Sequence, residues 1–294
     1  MVTVYMPVYN QEAYVRDALR SVLAQDYAPL TIFISDDAST DATVAIVNEE
    51  LAAYRGPHNV TFRQNEENLF LDHLVVNLPK LPSGLVVMAH GDDIQHPNRV
   101  SSLVALHERT GALVLSSNAQ VIDSEGKALH LYRDVVEEPD LSLEAFLANG
   151  YCAVGTGFSI AWHSDIWEIF GPKRKGTRPV DDILSFRAAL LGKLAYVSEP
   201  LLQWRNHDRN VTLAIQLNNA GSEREAMLIR ERMLQKQVSS WTSHVLDVIE
   251  LHRTGHTIAN YDDVLLKAHE RLLHYNEQYM EFRKDMLDQG IGIA

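Results

Sequence analysis

Short apolar runs alternate with amphipathic stretches through the first two-thirds of the chain. Val2–Val8 reads as a strand, β-branched and apolar, with Pro7 near its close. Between Asn10 and Gln25, residues Ala13, Val15, Ala18, Leu19, Val22 and Leu23 share one broad helical face. Leu30–Ser35 predicts a second strand, stopped by Asp36 and Asp37, and Ser39 or Thr40 caps a helix over Asp41–Tyr54. A short strand over Val60–Arg63 follows, then a helix over Leu69–Leu78 ended by Pro79. Next come a strand over Leu85–Ala89 and a helix from Pro97 to Glu108. Alternation of this kind implies an α/β fold with a mostly parallel, Rossmann-like sheet, right-handed crossovers and helices on both faces. Leu113–Asn118 continues the sheet, Gln120–Asp123 enters a turn at Ser124–Gly126, Leu141–Ala148 is helix-patterned and Gly155–Ala161 reads as a strand.

Beyond about Ser222 the texture changes. Glu223–Ser240, His244–His252 and Tyr261–Asp288 are long, charged and helix-patterned. A boundary is expected near residue 215, between a catalytic body (1–215) and a helical C-terminal region (216–294). Tyr275, Tyr279 and Phe282 form a stripe that either faces a partner or, the commoner outcome, packs back on the body.

Composition narrows the function classes. The 294 residues are 46% hydrophobic and 22% charged, ordinary for a globular protein. A net charge of -13 argues against nucleic-acid binding, which rewards clustered Lys and Arg. An anionic nucleotide remains compatible, because a metal and helix N-termini supply local positive charge. The one cysteine, Cys152, excludes an intrachain disulfide framework; it fits a reducing compartment and the role of a small buried hydrophobe. The opening MVTVYMPVYN lacks the basic-then-apolar pattern of a leader, and no apolar run reaches the ~20 residues that span a bilayer. A soluble, cytoplasmic protein is expected, working in the cytoplasm or at the inner face of the membrane.

Three acidic pairs carry the chemistry. Asp36-Asp37 ends the second predicted strand, Asp92-Asp93 ends the fourth, and Asp181-Asp182 precedes an apolar helical run containing Ile183, Leu184, Phe186, Ala189 and Leu190. Ligands bind at the carboxyl ends of strands in open α/β sheets, so the first two pairs face one cleft. Adjacent carboxylates repel unless a cation or protons separate them. Helix capping is the structural alternative for each pair. Together they suit a metal-assisted nucleotide-sugar site. One acid accepts from a base, one holds ribose, a metal neutralises a diphosphate, and one opposite takes a proton.

At this point the chain resembles the inverting family 2 glycosyltransferases of the GT-A fold. The matching pieces are VTVYMPVYNQEAYVRDALRSVLAQDY, IFISDDASTDAT, MAHGDDIQHPNRV, DDILSFRAALLG and LLQWRNHDRNVT, in the family's order and covering roughly residues 1–213. By that resemblance Pro7, Tyr9 and Asn10 lie beside the nucleotide, Asp37 accepts a hydrogen bond from the base, and Asp36 shapes that loop. Asp92 and Asp93 correspond to the ribose- and metal-binding motif, with Asp93 the first choice for the ion (Mg or Mn). Asp182 corresponds to the catalytic base, with Asp181 its neighbour. His207 approaches the metal or diphosphate, and Arg205 is a weaker candidate for phosphate contact.

Departures from the family pattern stand at His90, where an acid is common, at Phe70, where a glycine is frequent, and at His73, where a small residue is. The first puts metal geometry in doubt, and bulk at Phe70 narrows the pocket. Gly171–Pro179 (GPKRKGTRP) is the most basic segment, either a solvated loop or one that grips phosphate. Tyr151, Phe158, Trp162 and Trp167 stand where the family builds part of its acceptor site, although most such aromatics are core.

The expected activity is metal-dependent transfer, with inversion, of a sugar from a nucleoside-diphosphate sugar (UDP- or dTDP-linked) to a saccharide or lipid-linked acceptor in bacterial cell-surface polysaccharide or lipopolysaccharide synthesis. The pathway is an analogy with the family. A nucleotidyltransferase would carry a Gly-rich, basic phosphate loop near the N-terminus, where positions 7–20 offer only Arg16 and Arg20. The other rival is a catalytically silent nucleotide-sugar-binding or scaffold protein acting through its C-terminal helices. For those helices the sequence leaves three uses open: pairing with a second copy, docking a partner enzyme, or touching a membrane.

Overall fold

The computed structural model describes residues 1–134, 139–150, 157–172, 180–208, 210 and 213–291. Tyr151, Cys152, the first two residues of the strand expected over Gly155–Ala161 and the basic stretch 173–179 lie outside the described residues; of that expected strand only Ala161 is in one, because 157–159 form a turn before it. The strands are β1 (Val2–Val8), β2 (Thr31–Asp36), β3 (Asn59–Gln64), β4 (Leu85–Met88), β5 (Ile94–Gln95), β6 (Val114–Ile122), β7 (Ala128–Leu131), β8 (Ala161–His163) and β9 (Leu194–Arg205). They form a nine-stranded sheet in the order β3-β2-β1-β4-β8-β6-β9-β5, with β7 paired to β6. Its first four strands run parallel, as the alternation implies. Beyond β4 the sheet is mixed: β8 is antiparallel to β4 and β6, β9 is parallel to β6, and β5 is antiparallel to β9.

Strand side chains alternate between faces, and here each face has its own core. Val4, Met6, Val8, Ile32, Ile34, Leu85 and Val87 point to one side. That side is covered by α1 (Val15–Leu23), α2 (Thr43–Ala53) and α4 (Arg99–Thr110). Tyr5, Phe33, Val86 and Met88 point to the other. There they meet α5 (Leu143–Asn149), α6 (Asp165–Phe170), α7 (Val180–Leu190), α9 (Glu223–Arg253) and α10 (Tyr261–Asp288). Two short helices complete the chain, α3 (His73–Asn77) and α8 (Leu213–Asn218). Trp241, Val248, Leu251, Val264 and Ala268 of the C-terminal helices share this second core with Phe146 and Phe186.

Four departures from the predicted elements have visible causes. Helix α1 begins at Val15 rather than Asn10, because the amides of Asn10, Gln11 and Glu12 donate to Ser39, Thr43 and Asp41 instead of seeding a helix. The helix expected over Leu69–Leu78 is broken into 3-10 turns at Phe70–Asp72 and Leu78–Lys80 around α3. The two strands expected over 113–123 are one, β6, irregular between Ser117 and Gln120, where Asn118 Oδ1 accepts from the amides of Ala119 and Arg133. Two expected helices are the single α9. On α10, Tyr279 accepts a hydrogen bond from Gln235 of α9 at 3.0 Å and Tyr275 packs on the second core. The exposed apolar row of that helix is Leu266, Leu273, Met280 and Leu287.

Candidate active site

The chain leaves β4 at Met88, turns through His90 and Gly91, and presents Asp92 and Asp93 before β5. A Cβ on Gly91 would lie 2.3 Å from Gln11 Oε1 and 2.7 Å from Val8 Cγ1, so no larger residue fits against the β1 loop without displacement. His90, Asp92 and Asp93 each offer a ligand atom within 4.8 Å of the others. Strand β9 delivers the opposite wall. The Arg205 amide donates to Asp93 Oδ1 at 2.9 Å, and His207 Nε2 lies 3.1 Å from Asp92 Oδ2. These bonds join residues more than a hundred positions apart.

Arg205, the weaker candidate for phosphate contact, is tied to the protein itself. Its guanidinium donates to the carbonyls of Asp92, Asp123 and Ser124 and lies over the Tyr14 ring at 4.9 Å. Tyr14 also packs against the His207 ring, 4.8 Å between centroids. The two acids are pushed apart electrostatically. Burial, then the Asp92 charge, raises the Asp93 carboxyl well above the usual aspartate range, against the Arg205 amide and the Arg99 and Arg205 charges. Burial also acts to raise Asp92, but the His207 hydrogen bond and the charges of His90 and His207 outweigh it and hold Asp92 low. Arg99 is buried beneath them, donating to the Met88 carbonyl at 2.7 Å, and burial pushes its guanidinium down to about 10. Asp93 Oδ2 is buried without a hydrogen-bond partner among the described residues. An orphaned carboxylate oxygen beside a second acid and an imidazole fits a divalent cation, which takes oxygen ligands and neutralises the repulsion.

The loops after β1 and β2 are stitched together. Asn10, at φ 49°, accepts from the Thr40 amide at 2.8 Å and donates its own amide to Ser39 Oγ at 2.9 Å. Pro7 lies opposite Ser35 in the sheet, while Tyr9 is exposed. Asp36 is fully buried; Oδ2 accepts from the Ser39 amide and Oδ1 has no hydrogen-bond partner among the described residues. Asp37 uses both oxygens on the chain: Oδ1 accepts from Asn65 Nδ2 (2.8 Å) and the Leu69 amide (2.9 Å), and Oδ2 from the Phe70 amide (2.8 Å). Those bonds hold Phe70 at φ 49°, which accounts for glycine suiting this position. The His73 ring fits because it is used, its Nε2 bonded to Ser35 Oγ at 2.8 Å.

Asp181 and Asp182 open α7. Burial raises Asp181, with Lys236 opposing and Asp182 adding to the rise. Asp182 is held below the usual range: burial acts to raise it, but His244 by charge and hydrogen bond, Ser240 by hydrogen bond and Lys236 by charge prevail. Within the adjacent pair, burial therefore favours the neutral form of Asp181, while His244, Ser240 and Lys236 favour the ionised form of Asp182. Its His244 partner, at 3.2 Å, belongs to α9.

The expected acceptor aromatics divide. Trp162 is 1% exposed and belongs to the core, and Trp167 lies under Arg187 at 5.4 Å. Phe158 stacks on Trp204 (5.1 Å), and both meet Tyr132 edge-on. Tyr132 is 40% exposed, and a Cβ on Gly157, next to Phe158, would lie 3.4 Å from Asp181 Oδ2, so this cluster borders the α7 acids. Contacts therefore gather His90, Asp92, Asp93, Arg205 and His207 into one group, and Asn10, Asp36 and Asp37 into a second, joined to the first where Gln11 and Val8 press on Gly91. Asp182 is held from α9. Three participants are not picked out by a sequence signal: His90 stands in the motif as a lost acid, although imidazole is itself a common ligand. Tyr132 and His244 carry no local motif.

A family model described as Glycosyl transferase family 2 matches residues 3–170. An uncharacterised protein of Mycobacterium tuberculosis, Rv1520, is 27% identical over 206 residues, 69% of this chain and 58% of that protein. The chain thus spans little more than half the length of that relative. The succinoglycan biosynthesis protein ExoO of Rhizobium meliloti is 24% identical over 148 residues, 50% of this chain and 41% of ExoO. Among solved structures, S. aureus TarS 1-349 in complex with UDP-GlcNAc superposes with a TM-score of 0.57 at 15% identity, covering 98% of this chain and 92% of that one. The mannosyltransferase PcManGT from Pyrobaculum calidifontis, in complex with GDP-Man and Mn2+, gives 0.55 at 15% identity, covering 96% and 84%. Both are similar to this chain in fold. No described helix is long and apolar enough to cross a membrane.

Proposed function

The chain belongs to glycosyl transferase family 2, and from that premise we propose that it moves a sugar from a nucleoside-diphosphate donor to a hydroxyl acceptor, with inversion at the anomeric carbon. One observation carries the reading: Asp92 and Asp93 after β4, Arg205 at the end of β9, His207 just beyond it and the imidazole of His90 converge on a single charged cluster, buried at Asp93 and Arg205 and half-buried at the other three. The loops bearing Pro7, Tyr9, Asn10, Asp36 and Asp37 frame the nucleoside. His90, Asp92 and Asp93 would hold a divalent cation, with His207 orienting Asp92, and such an ion supplies charge neutralisation for a departing diphosphate.

Asp182 takes the proton from the acceptor hydroxyl as its oxygen attacks the anomeric carbon, and the carbon–oxygen bond to the diphosphate breaks. The nucleoside diphosphate leaves from the opposite face, so no covalent enzyme intermediate is required. Tyr132 and Trp204 present aromatic surface near the α7 acids for an acceptor saccharide. A role in bacterial cell-surface polysaccharide synthesis is supported by the name of the ExoO relative. UDP-, dTDP- and GDP-sugars, with and without Mn2+, tested by thermal shift and by turnover with saccharide acceptors, check the reading. Stabilisation by one donor plus metal, with transfer abolished in Asp182→Asn while nucleotide binding persists, is expected. Wild-type transfer by Asp182→Asn refutes the assignment of the base.

A further inference from the structure

We propose that His244, on the C-terminal helix α9, is a positioning residue for Asp182, which makes the helical region a working part of the transfer site. The inference rests on the reading of Asp182 as the base. His244 is wholly buried, with Nε2 3.2 Å from Asp182 Oδ2. A carboxylate only accepts, so Nε2 donates.

The ring cannot turn away. It stacks on Phe186 of α7 at 4.0 Å and 24°, and it meets Phe146 of α5 edge-on at 5.5 Å and Trp241 of α9 edge-on at 5.0 Å. Its Nδ1 has no hydrogen-bond partner among the described residues, so Asp182 is the hydrogen-bond partner that the caged ring faces.

His244 is also one of a row. Lys236, Ser240 and His244 recur at four-residue spacing, one stripe of a helix, and all three act on Asp182. One turn onward Asp247 closes a bidentate pair with Arg187 of α7, at 2.7 and 3.0 Å. Two polar links therefore fix α9 to α7 on either side of Phe186. Asp181 on α7 and Lys236 on α9 are the other ionisable groups that interact with Asp182, and the closed Arg187–Asp247 pair lies one turn along α9. A packing role would need only an aromatic ring at 244. A hydrogen-bonded imidazole aimed at the carboxylate fixes the plane of the base and keeps it ionised.

The test compares wild type, His244→Phe, His244→Gln and Asp182→Asn, using the donor sugar found by the panel, an acceptor saccharide, and the donor's nucleoside diphosphate with Mn2+ as the binding probe. His244→Phe fills the cage without a donor. We expect unchanged nucleoside-diphosphate affinity and donor KM, a kcat lowered about 10- to 100-fold, and an acid limb of the kcat profile moved to higher pH. His244→Gln, which keeps an N–H near Nε2, restores part of both. Should the phenylalanine variant fail to fold, His244→Met against His244→Gln makes the same comparison in side chains that adapt to the cage. Wild-type kcat and pH profile in the donor-free variant, with Asp182→Asn inactive, overturn the role of His244. Transfer by Asp182→Asn instead overturns the base assignment beneath it.

Discussion

Replacing Arg187 by alanine tests how firmly the C-terminal helices belong to the transfer site. The guanidinium makes two charge-assisted bonds to Asp247 and a third to the Gly171 carbonyl at 3.0 Å, and it lies over Phe170 at 5.0 Å. Its side chain is 1% exposed and that of Asp247 0%. Removing one member of such a pair leaves a buried charge without its counter-ion, a loss of about 3–5 kcal/mol. Unfolding entropy of about 2 cal/mol/K per residue gives roughly 0.6 kcal/mol/K for a chain of this length, so the melting temperature should fall by about 5–8 °C. Thermal and urea denaturation, followed by circular dichroism and by tryptophan fluorescence (Trp167 lies against Arg187 and Trp241 against Phe186), measure it. The double variant Arg187→Met/Asp247→Leu should recover most of the loss, because apolar replacement of both partners removes the desolvation cost along with the attraction. A single-variant loss below about 1 kcal/mol, or a double variant as unstable as the sum of the singles, refutes the reasoning.

Two further predictions concern the β4 turn and the β2 loop. Asp93 is held above the ordinary aspartate value, so the cation-free folded protein binds a proton that the unfolded chain releases. Its stability should therefore fall, by up to about 1.4 kcal/mol per pH unit, as pH rises through the folded pKa, and stabilisation by Mn2+ should grow over the same window; a Mn2+ thermal shift independent of pH in wild type, or retained in Asp93→Asn, contradicts this. Phe70 at φ 49° predicts the stability order Gly, then Phe, then Val at that position. The glycine variant should gain up to about 1 kcal/mol in a urea melt, because relief of left-handed strain exceeds the added chain entropy.

Much of this was legible in the sequence for reasons that can be named. The β4 strand and its acids stand out because a buried run ends abruptly in charge, and strand–helix alternation identifies the parallel block around it. What escaped is polar and buried. The gap seen between Ser240 and His244 is no gap: Ser240, Ser243, His244 and Asp247 are buried within α9, where hydrophobic periodicity registers them as a break. His90 looked like a deficit because its ligand capacity depends on being folded beside Asp92 and Asp93. The Leu69–Leu78 helix failed because Asp37, some thirty residues earlier, captures the Leu69 and Phe70 amides. In each case a long-range polar partner overrode a local pattern.

The cage around His244 bears on how this protein can be taken apart. Motif matching encourages a cut just past the last strand, producing a tidy fragment that contains every recognised signature. Such a fragment would leave the hydrophobic undersides of α5 and α7 wet, strand Arg187 in an apolar bed, and leave Asp182 free to swivel. Grafting a foreign tail onto that body would meet the same difficulty, unless the newcomer brought its own imidazole and carboxylate one turn apart.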